Sequence, residues 1–317
     1  MQEVPSRFHS NISTRRLLQA TETDPVSPTS SAYVGPRYVA LIRHHHQQGP
    51  RADREITHPL QFASTQLYPP PAPQYRHPSD IIALLIPAAY RDDEAYLALG
   101  PGGPPYNVFG WLCVKLFFNP FKREMFGTRI YDRKIADGDD SGFLGVLELP
   151  QRKGERPAMG DFAAPQRQIN QAPSREIQQK LMAEYAAFLE RNAHLVDRVP
   201  SILERYTDAA HVCSHLPLTP VAKAMKKEIC HVHGTSDHSV HVTLSPADCK
   251  RVIETGWGQR FPLAGSSIFR NNTFGRLGTL PTEYLFIYAP RDEEEIDTVM
   301  RIIRASVQYV TGVRDVR

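Results

Sequence analysis

The sequence lacks the features that mark several large classes of protein. Its 317 residues carry a net charge of only +3, which is too small to indicate a nucleic-acid binder. The four cysteines form no CxxC pair and are too sparse for a disulfide framework. The apolar run Ile81–Tyr90 has ten residues, whereas a membrane-spanning helix needs about 20. With 41% hydrophobic residues, the chain is instead expected to bury a core and to have no nucleic-acid partner.

Lysine is absent before Lys115, and proline is concentrated at the N-terminus. Residues 1–80 hold 11 of the 27 prolines and show no sustained helical or alternating apolar pattern. Such a segment cannot bury enough apolar surface to offset the entropy lost on ordering. We therefore predict that residues 1–79 form a Pro-rich disordered region and that residues 80–317 form one folded domain.

Two apolar runs open the predicted domain, at Ile81–Tyr90 and Val108–Phe118. A loop containing Gly100–Pro105 separates them, because glycine and proline interrupt regular structure. Each run is suited either to the core or to the interface of a membrane. We expect the core position, and peripheral membrane association is the alternative.

The middle of the chain mixes short strand and helix patterns. Gly127–Asp132 and Gly142–Leu149 are typical of strands. Ser174 is a good N-cap for a helix that reaches about His194, whose apolar residues recur at helical spacing. Residues 202–209 predict another short helix.

The C-terminal part carries clearer patterns. His231–Thr243 predicts two short strands joined by a turn. Ser245 or Pro246 then starts a helix that closes at Gly256.

A buried strand and a capped helix complete the chain. Glu283–Ala289 is rich in residues that favour strands. Asp292 and Glu295 form a capping box for a final helix that ends at Gly312. Because strands and helices mix without a regular βαβ period, we predict an α+β fold with helices packed on a mainly antiparallel sheet.

A histidine cluster is the first candidate site. His231 and His233 stand two residues apart, so on a strand both project from the same face. A turn after His233 brings His241 near them. Convergent imidazoles suit two tasks, which are binding a metal such as zinc, iron or copper, and acid/base work on a bound substrate. The residues alone leave both tasks open.

A second candidate is the segment Gly256–Gly265, which we interpret as a loop. It presents an aromatic ring beside several hydrogen-bond donors, a combination that suits an anionic or phenolate ligand. Residues on and after the following strand are expected to line the same cavity. The candidate substrate-binding residues are Trp257, Gln259, Arg260, Tyr284 and Arg291.

Three motifs together resemble the fungal luciferases that act on 3-hydroxyhispidin. They are KEICHVH at Lys227–His233, GWGQRFPLAG at Gly256–Gly265 and PTEYLFIYAPRDEEE at Pro281–Glu295. The resemblance extends over roughly residues 80–312. It implies an oxygenase that needs neither metal nor flavin and takes dioxygen as co-substrate. It also implies catalytic roles for His231, His233 and His241, with a hispidin-type pyrone or another small aromatic molecule as substrate.

The sequence departs from the luminous family members in three places. Phe261 stands where the resemblance leads us to expect histidine, in GWGQRHPLAG. The insert Ser267–Leu280 lengthens the loop before Pro281. The Pro-rich leader stands where the luminous enzymes carry a membrane helix. These differences favour a non-luminous relative, intracellular, with peripheral membrane association still open.

Two other functions compete with this interpretation. The first is a non-catalytic protein of the same fold that uses the histidine cluster to bind a metal or a small ligand. The second is an interaction protein that recruits partners through its Pro-rich tail.

Overall fold

A six-stranded antiparallel sheet organises the part of the chain that the computed structural model describes, which is residues 78–145, 149–266 and 280–317. The strands are β1 (Val196–Pro200), β2 (Asp208–Val212), β3 (Glu228–Val232), β4 (Val240–Thr243), β5 (Gly258–Arg260) and β6 (Tyr284–Ile287). They lie side by side in the order β1-β2-β3-β4-β6-β5. The predicted α+β fold with a mainly antiparallel sheet is therefore confirmed.

Seven α-helices accompany the sheet in the described residues. They are α1 (Pro78–Ala98), α2 (Val108–Cys113), α3 (Arg129–Ala136), α4 (Arg175–Arg191), α5 (Pro220–Ala224), α6 (Pro246–Glu254) and α7 (Glu293–Thr311). A π-helical turn at Val114–Phe118 and a 3₁₀ turn at Asn119–Phe121 continue α2. None of the helices in these ranges is long and apolar enough to cross a membrane.

Local capping explains why α4, α6 and α7 begin where the sequence predicts. Ser174, Ser245 and Asp292 each accept a hydrogen bond from the backbone N–H three residues further on. These bonds satisfy N–H groups that the helix itself leaves without partners. Gly312 ends α7 in the left-handed conformation, with φ of 76°, which glycine adopts without strain.

One face of the sheet packs against α4 and α7. Alternate residues of the strands point to this face, because side chains in a strand alternate between its two sides. Those residues include Cys230, Val232, Val240, Val242, Leu285 and Ile287, all buried in the larger hydrophobic cluster. Ile303 and Val307 of α7 belong to the same cluster.

The opposite face is covered by the N-terminal helices and by loops. Tyr96 of α1, Val114 and Phe118 form a second hydrophobic cluster there, together with Phe261 and Tyr284. Between this cluster and the sheet lie the polar residues of the candidate site.

Two of the sequence-based strands are wrong. Gly127–Asp132 leads into helix α3, where Tyr131 is fully buried and donates a hydrogen bond to the Thr282 carbonyl at 2.7 Å. The described part of Gly142–Leu149 contains no strand. Its Phe143 and Leu144 N–H groups donate to the carboxylate of Asp248 rather than to a neighbouring strand.

Two further elements differ from prediction. Residues 202–207 form a turn in which Ser201 Oγ accepts hydrogen bonds from two backbone N–H groups, and β2 follows directly at Asp208. The segment interpreted as a loop contains β5, which pairs with β6 at the edge of the sheet. Residues 267–279 of the predicted insert Ser267–Leu280 and residues 1–77 of the predicted leader 1–79 lie outside the described residues.

Where their side chains are described, the apolar runs at the start of the domain join the core only in part. Leu85, Ile86 and Tyr90 of the first run are exposed. In the second run, Val114 and Phe118 are buried, but Val108, Phe109, Leu112, Leu116 and Phe117 are exposed.

Candidate functional site

The register of the central strands brings the three predicted histidines together. His231 on β3 lies directly opposite His241 on β4. His233 follows β3 and remains in the hairpin, because its N–H donates to the carbonyl of Ser239 at 2.9 Å. The three ring centres are 5.0–5.3 Å apart, and all three side chains are buried. The structure thus forms the cluster that the spacing predicts.

His231 is held by a buried carboxylate. Its Nδ1 lies 2.7 Å from Oε1 of Glu228, which also accepts a hydrogen bond from Ser201 Oγ at 2.8 Å. Glu228 Oε2 accepts the backbone N–H of Ile202 at 2.7 Å. Burial raises the pKa of Glu228, but the imidazoles of His211 and His231 outweigh it, so the pKa lies below its ordinary value. Glu228 is therefore a fixed negative charge behind His231.

The other two imidazoles are oriented in the same way. Nδ1 of His233 lies 2.8 Å from Oγ of Ser239, whose hydroxyl donates to Asp237. Nδ1 of His241 donates to the carbonyl oxygen of Leu285 at 3.1 Å. Burial lowers the pKa of His233 and of His241 well below the ordinary value, so both rings are neutral near pH 7.

The ion pair between Arg167 and Glu204 lies beside His233. Arg167 is buried, donates to Glu204, and places Nη1 3.3 Å from the nitrogens of the His233 ring. Burial raises the pKa of Glu204, and the Arg167 cation opposes that shift. Nothing in the spacing of the sequence joins these residues to the histidines, since they come from separate loops.

A cavity of about 270 Å³ lies against the histidine cluster. His231 and His241 form part of its wall, and Tyr284 and Phe261 supply aromatic surface. The remaining lining residues include Gly102, Pro105, Cys113, Phe118, Glu204, Leu263 and Leu280. A mostly apolar cavity with a few polar groups at one end is typical of a binding site for a small organic molecule.

Tyr284 is the one predicted substrate-binding residue that lines this cavity. Its ring stacks on His241, with ring centres 4.7 Å apart and planes inclined by 12°. Phe261 stands edge-on to both rings, with its centre 5.4 Å from each. The residue that departs from the expected histidine therefore lies beside the cluster.

Trp257 and Gln259 lie elsewhere in the core. Trp257 is buried and donates from Nε1 to the carbonyl of Pro150 at 2.6 Å. Gln259 accepts a hydrogen bond from Tyr288 at 2.9 Å and contacts Met125. Neither residue belongs to the cavity wall, so their substrate-binding role stays a prediction.

Arg260 and Arg291 are engaged in structural contacts. Arg260 donates to Tyr131 and to the carbonyls of Glu124 and Gly127, which holds the loop before α3. It borders a second, basic cavity rather than the one at the histidines. Arg291 pairs with Glu295 at the start of α7. Their binding roles also stay predictions.

Three important residues are missing from the sequence-based site. They are Glu228, Arg167 and Glu204, whose side chains lie against the histidine rings in the structure. A glutamate three residues before the His-x-His pattern is the single local signal. Only the fold brings the other two to the same place.

Fold and site together define a class of protein. One face of the sheet is a hydrophobic core, and the other holds a buried polar cluster open to an apolar cavity. One nitrogen of each of the three histidines lies within 4.8 Å of the others, so the cluster is able to hold a metal or to exchange protons with a ligand. The described part of the chain is an α+β domain with a cavity of the kind that binds small organic molecules.

Comparison with known proteins gives the family. Residues 226–306 match the luciferase domain family. The luciferase of Armillaria ostoyae is 34% identical over 252 residues, which are 73% of this chain and 84% of that protein. The luciferase of Neonothopanus nambi is 31% identical over 253 residues, covering 73% and 84%. The chain belongs to the fungal luciferase family, and the resemblance seen in its motifs is confirmed.

No solved structure matches the chain.

Proposed function

We propose that the protein is a luciferase-like oxygenase that oxidises a hispidin-type pyrone or a related small aromatic metabolite with dioxygen. The substrate would occupy the cavity beside His231 and His241. The single observation that carries the proposal is the buried His231–Glu228 pair, whose imidazole forms part of the wall of an aromatic-lined cavity.

The chemistry of a hydroxypyrone explains what this site has to provide. Removing the enol proton gives an electron-rich anion that reacts with dioxygen to form a cyclic peroxide. Loss of carbon dioxide from the peroxide opens the ring. Both atoms of dioxygen and all atoms of the substrate are found in the two products, so no external reductant is needed.

His231 is suited to take the enol proton. Glu228 fixes the tautomer in which Nδ1 carries a proton, which leaves the lone pair on Nε2. That nitrogen is buried and has no hydrogen-bond partner among the described residues. The carboxylate then stabilises the imidazolium that forms when the proton is taken.

The walls of the cavity suit a flat conjugated substrate. Tyr284 and Phe261 offer aromatic surface on one side, and Leu263 and Leu280 add apolar contacts. Excluding water from this space protects a peroxide from hydrolysis. We propose the oxidation alone for this protein and do not assign light emission to it, since Phe261 replaces the expected histidine.

Oxygen uptake with 3-hydroxyhispidin tests the proposal directly, with photon counting in the same cell. If that substrate is inert, a panel of hydroxypyrones and catechols follows. We expect one carbon dioxide released for each dioxygen consumed. Tight binding of a pyrone without any oxygen uptake across the panel would contradict the proposal and favour the non-catalytic binding protein.

Two matched variants assign the reaction to the site. His231→Gln keeps a hydrogen-bonding side chain but removes the base, so turnover should fall by about 10²–10⁴-fold. His238→Asn changes a histidine of the same hairpin that lies outside the cavity wall, and asparagine tolerates its φ of 59°. The second variant should retain wild-type turnover. Equal turnover in both variants would remove His231 from the mechanism.

We also infer that the protein touches a membrane surface through its N-terminal helices. Eleven of the fourteen large hydrophobic residues exposed in the described ranges lie between residues 85 and 126, Phe109 being 72% exposed. Lys122 and Arg123 are exposed in the same segment, which suits anionic headgroups. Cys113 and Phe118 of this segment also line the cavity, so a substrate dissolved in lipid would have a short path.

Vesicle flotation tests the membrane contact. Binding to vesicles containing phosphatidylserine should exceed binding to phosphatidylcholine alone. The double variant Phe109→Ser and Phe117→Ser should lose it, whereas Ile169→Ser, which changes an exposed apolar residue outside the segment, should not. Equal flotation of all three proteins would contradict the inference.

A further inference from the structure

Gln166 is a buried glutamine whose carboxamide is unpaired in the described part of the chain. Its residue is 4% exposed, and both polar atoms of the side chain, Nε2 and Oε1, are buried without a hydrogen-bond partner there. A carboxamide offers two N–H donors and a carbonyl acceptor, so several hydrogen bonds are left unmade. Burying such a group is unfavourable, and native proteins seldom keep one without a bound molecule that completes it.

A glutamine two residues further on shows the contacts of a structural glutamine. Gln168 is buried as well, yet its Nε2 donates to the carbonyls of Asn170 and Gln171 at 3.2 and 3.1 Å. Its Oε1 accepts the N–H of Ala289 at 2.9 Å. The same segment therefore pairs one buried glutamine and leaves Gln166 without such bonds. Packing does not explain the difference, because an apolar side chain of the same length avoids the cost of an unpaired polar group.

The backbone fixes Gln166 at the wall of the cavity beside the histidines. Its carbonyl oxygen accepts a hydrogen bond from Nη1 of Arg167 at 2.9 Å, and Arg167 is itself paired with Glu204. Gln166, Glu204 and His231 all line this cavity. A group on a fixed segment loses little freedom when a ligand binds, which favours affinity.

A second unpaired group belongs to the same wall. Nε2 of His231 is buried without a hydrogen-bond partner, like the carboxamide. Seven side chains in the described ranges contain a buried polar atom of this kind, and Gln166 and His231 are the two that line the cavity. Gln166 is also the one with two such atoms. The unmade hydrogen bonds therefore concentrate in the space that we assign to the substrate.

We propose that Gln166 is a substrate-binding residue that recognises two adjacent hydroxyl groups, as in a dihydroxypyrone or a catechol. An N–H donor beside a carbonyl acceptor matches an oxygen acceptor beside an O–H donor. Two hydroxyl groups on neighbouring carbons supply that pair. The assignment rests on the proposed function, which places the substrate in this cavity, and it adds a requirement on the substrate.

The two unpaired groups divide the hydrogen bonds of such a substrate. The first hydroxyl oxygen accepts from Nε2 of Gln166, and its proton is then available to Nε2 of His231. The second hydroxyl donates to Oε1 of Gln166. When His231 takes the proton, the carboxamide N–H faces the oxyanion that forms, and a donor placed in this way stabilises the developing charge.

Binding of two small pyrones with dioxygen excluded tests the assignment. The probes are 4-hydroxy-6-methyl-2-pyrone, which has one hydroxyl group, and its 3-hydroxy derivative, which has two adjacent ones. Calorimetry with the full chain should show that the dihydroxypyrone binds about 10–100-fold tighter. The second hydroxyl pairs a buried acceptor that the first probe leaves unpaired.

Matched variants assign this preference to one residue. Gln166→Met removes the carboxamide and keeps the length of the side chain, so the preference for the dihydroxypyrone should be lost. Gln179→Met changes an exposed glutamine of α4 that lies outside the cavity wall, and it should keep the preference. If the bulk of methionine prevents folding, Gln166→Leu is measured in its place with the same expectation.

The stability of the free protein separates binding from a structural role. Because the carboxamide has no protein partner to lose, the folded Gln166 variant should melt at the wild-type temperature or above it. Gln168→Met breaks three hydrogen bonds and should melt lower. A Gln166 variant that melts as low as Gln168→Met contradicts the assignment, because its carboxamide is then structural.

The outcomes are distinct from those for the oxidation. A wild type without the preference, or a Gln166 variant that keeps it, overturns the assignment even if oxygen is consumed. A preference that depends on Gln166, with no compound of the panel oxidised, supports the binding role and overturns the oxidation alone.

Discussion

The two faces of the sheet are built by the same strands but bury opposite kinds of side chain. Val242 packs against the helices of one face, while its neighbour His241 belongs to the polar cluster of the other. The helix-covered face is a continuous hydrophobic core. The cavity face contains imidazoles, carboxylates and a guanidinium that are individually unfavourable to bury. Because side chains alternate between the two sides of a strand, the hydrophobic face can stabilise the fold while the other face buries polar groups.

The largest expected effect comes from moving charge to the helix-covered face. Val242→Asp places a carboxylate inside the larger hydrophobic cluster, and an uncompensated buried charge destabilises by about 3–5 kcal/mol. That is comparable to the total stability of a domain, about 5–15 kcal/mol. We expect little soluble folded protein, measured by circular dichroism and chemical denaturation.

The matched change is made one residue earlier, at His241, whose side chain lies on the opposite face of the sheet. His241→Asn alters the cavity face, so it should remain folded while turnover of the hydroxypyrone falls. If Val242→Asp and His241→Asn fold equally well, the helix-covered face is not the more sensitive of the two faces to a buried polar group.

A moderate effect is expected at the cap of α7, the helix on which the hydrophobic face packs. Asp292 accepts the N–H of Glu295, and replacing such a cap with alanine destabilises by about 1 kcal/mol. Asp292→Ala should lower the free energy of unfolding by that amount and leave turnover of the hydroxypyrone unchanged. Asp297→Ala, an exposed position of the same helix, is the control and should change stability less. A change of turnover in Asp292→Ala would show that the faces are coupled.

The smallest expected effect is a gain on the cavity face. Phe261 lies 5.4 Å from His241, so Phe261→His adds a fourth imidazole beside the cluster. We expect a few-fold gain in turnover of the hydroxypyrone, because the added imidazole is a further hydrogen-bond donor to the substrate anion. Phe261→Leu preserves the apolar character and should retain wild-type turnover. Equal turnover in all three proteins would show that residue 261 does not contribute to the reaction.

The sequence-based prediction was accurate where local chemistry decides the structure. The caps at Ser174, Ser245 and Asp292 were correct because a side chain satisfies the backbone three residues away. The strands around His231 and His241 were correct because an apolar–polar alternation flanks a turn.

The errors occur where distant contacts override the local pattern. Tyr131 lies in a helix because its hydroxyl reaches Thr282 and its ring is enclosed by the fold. The exposed residues of the first two apolar runs look like core residues in sequence. No local signal tells whether an apolar residue finds a partner or faces outward.

The sequence by itself determined the family, the α+β class and the grouping of His231, His233 and His241, because these depend on motifs and on a hairpin between neighbours. Tertiary structure alone decided which residues surround that group. It placed Glu228 behind His231, brought Arg167 and Glu204 from separate loops, and kept Trp257 and Arg291 away from the cavity. Short-range periodicity fixes which side of a strand a residue faces, but only the packing of distant segments fixes what it meets there.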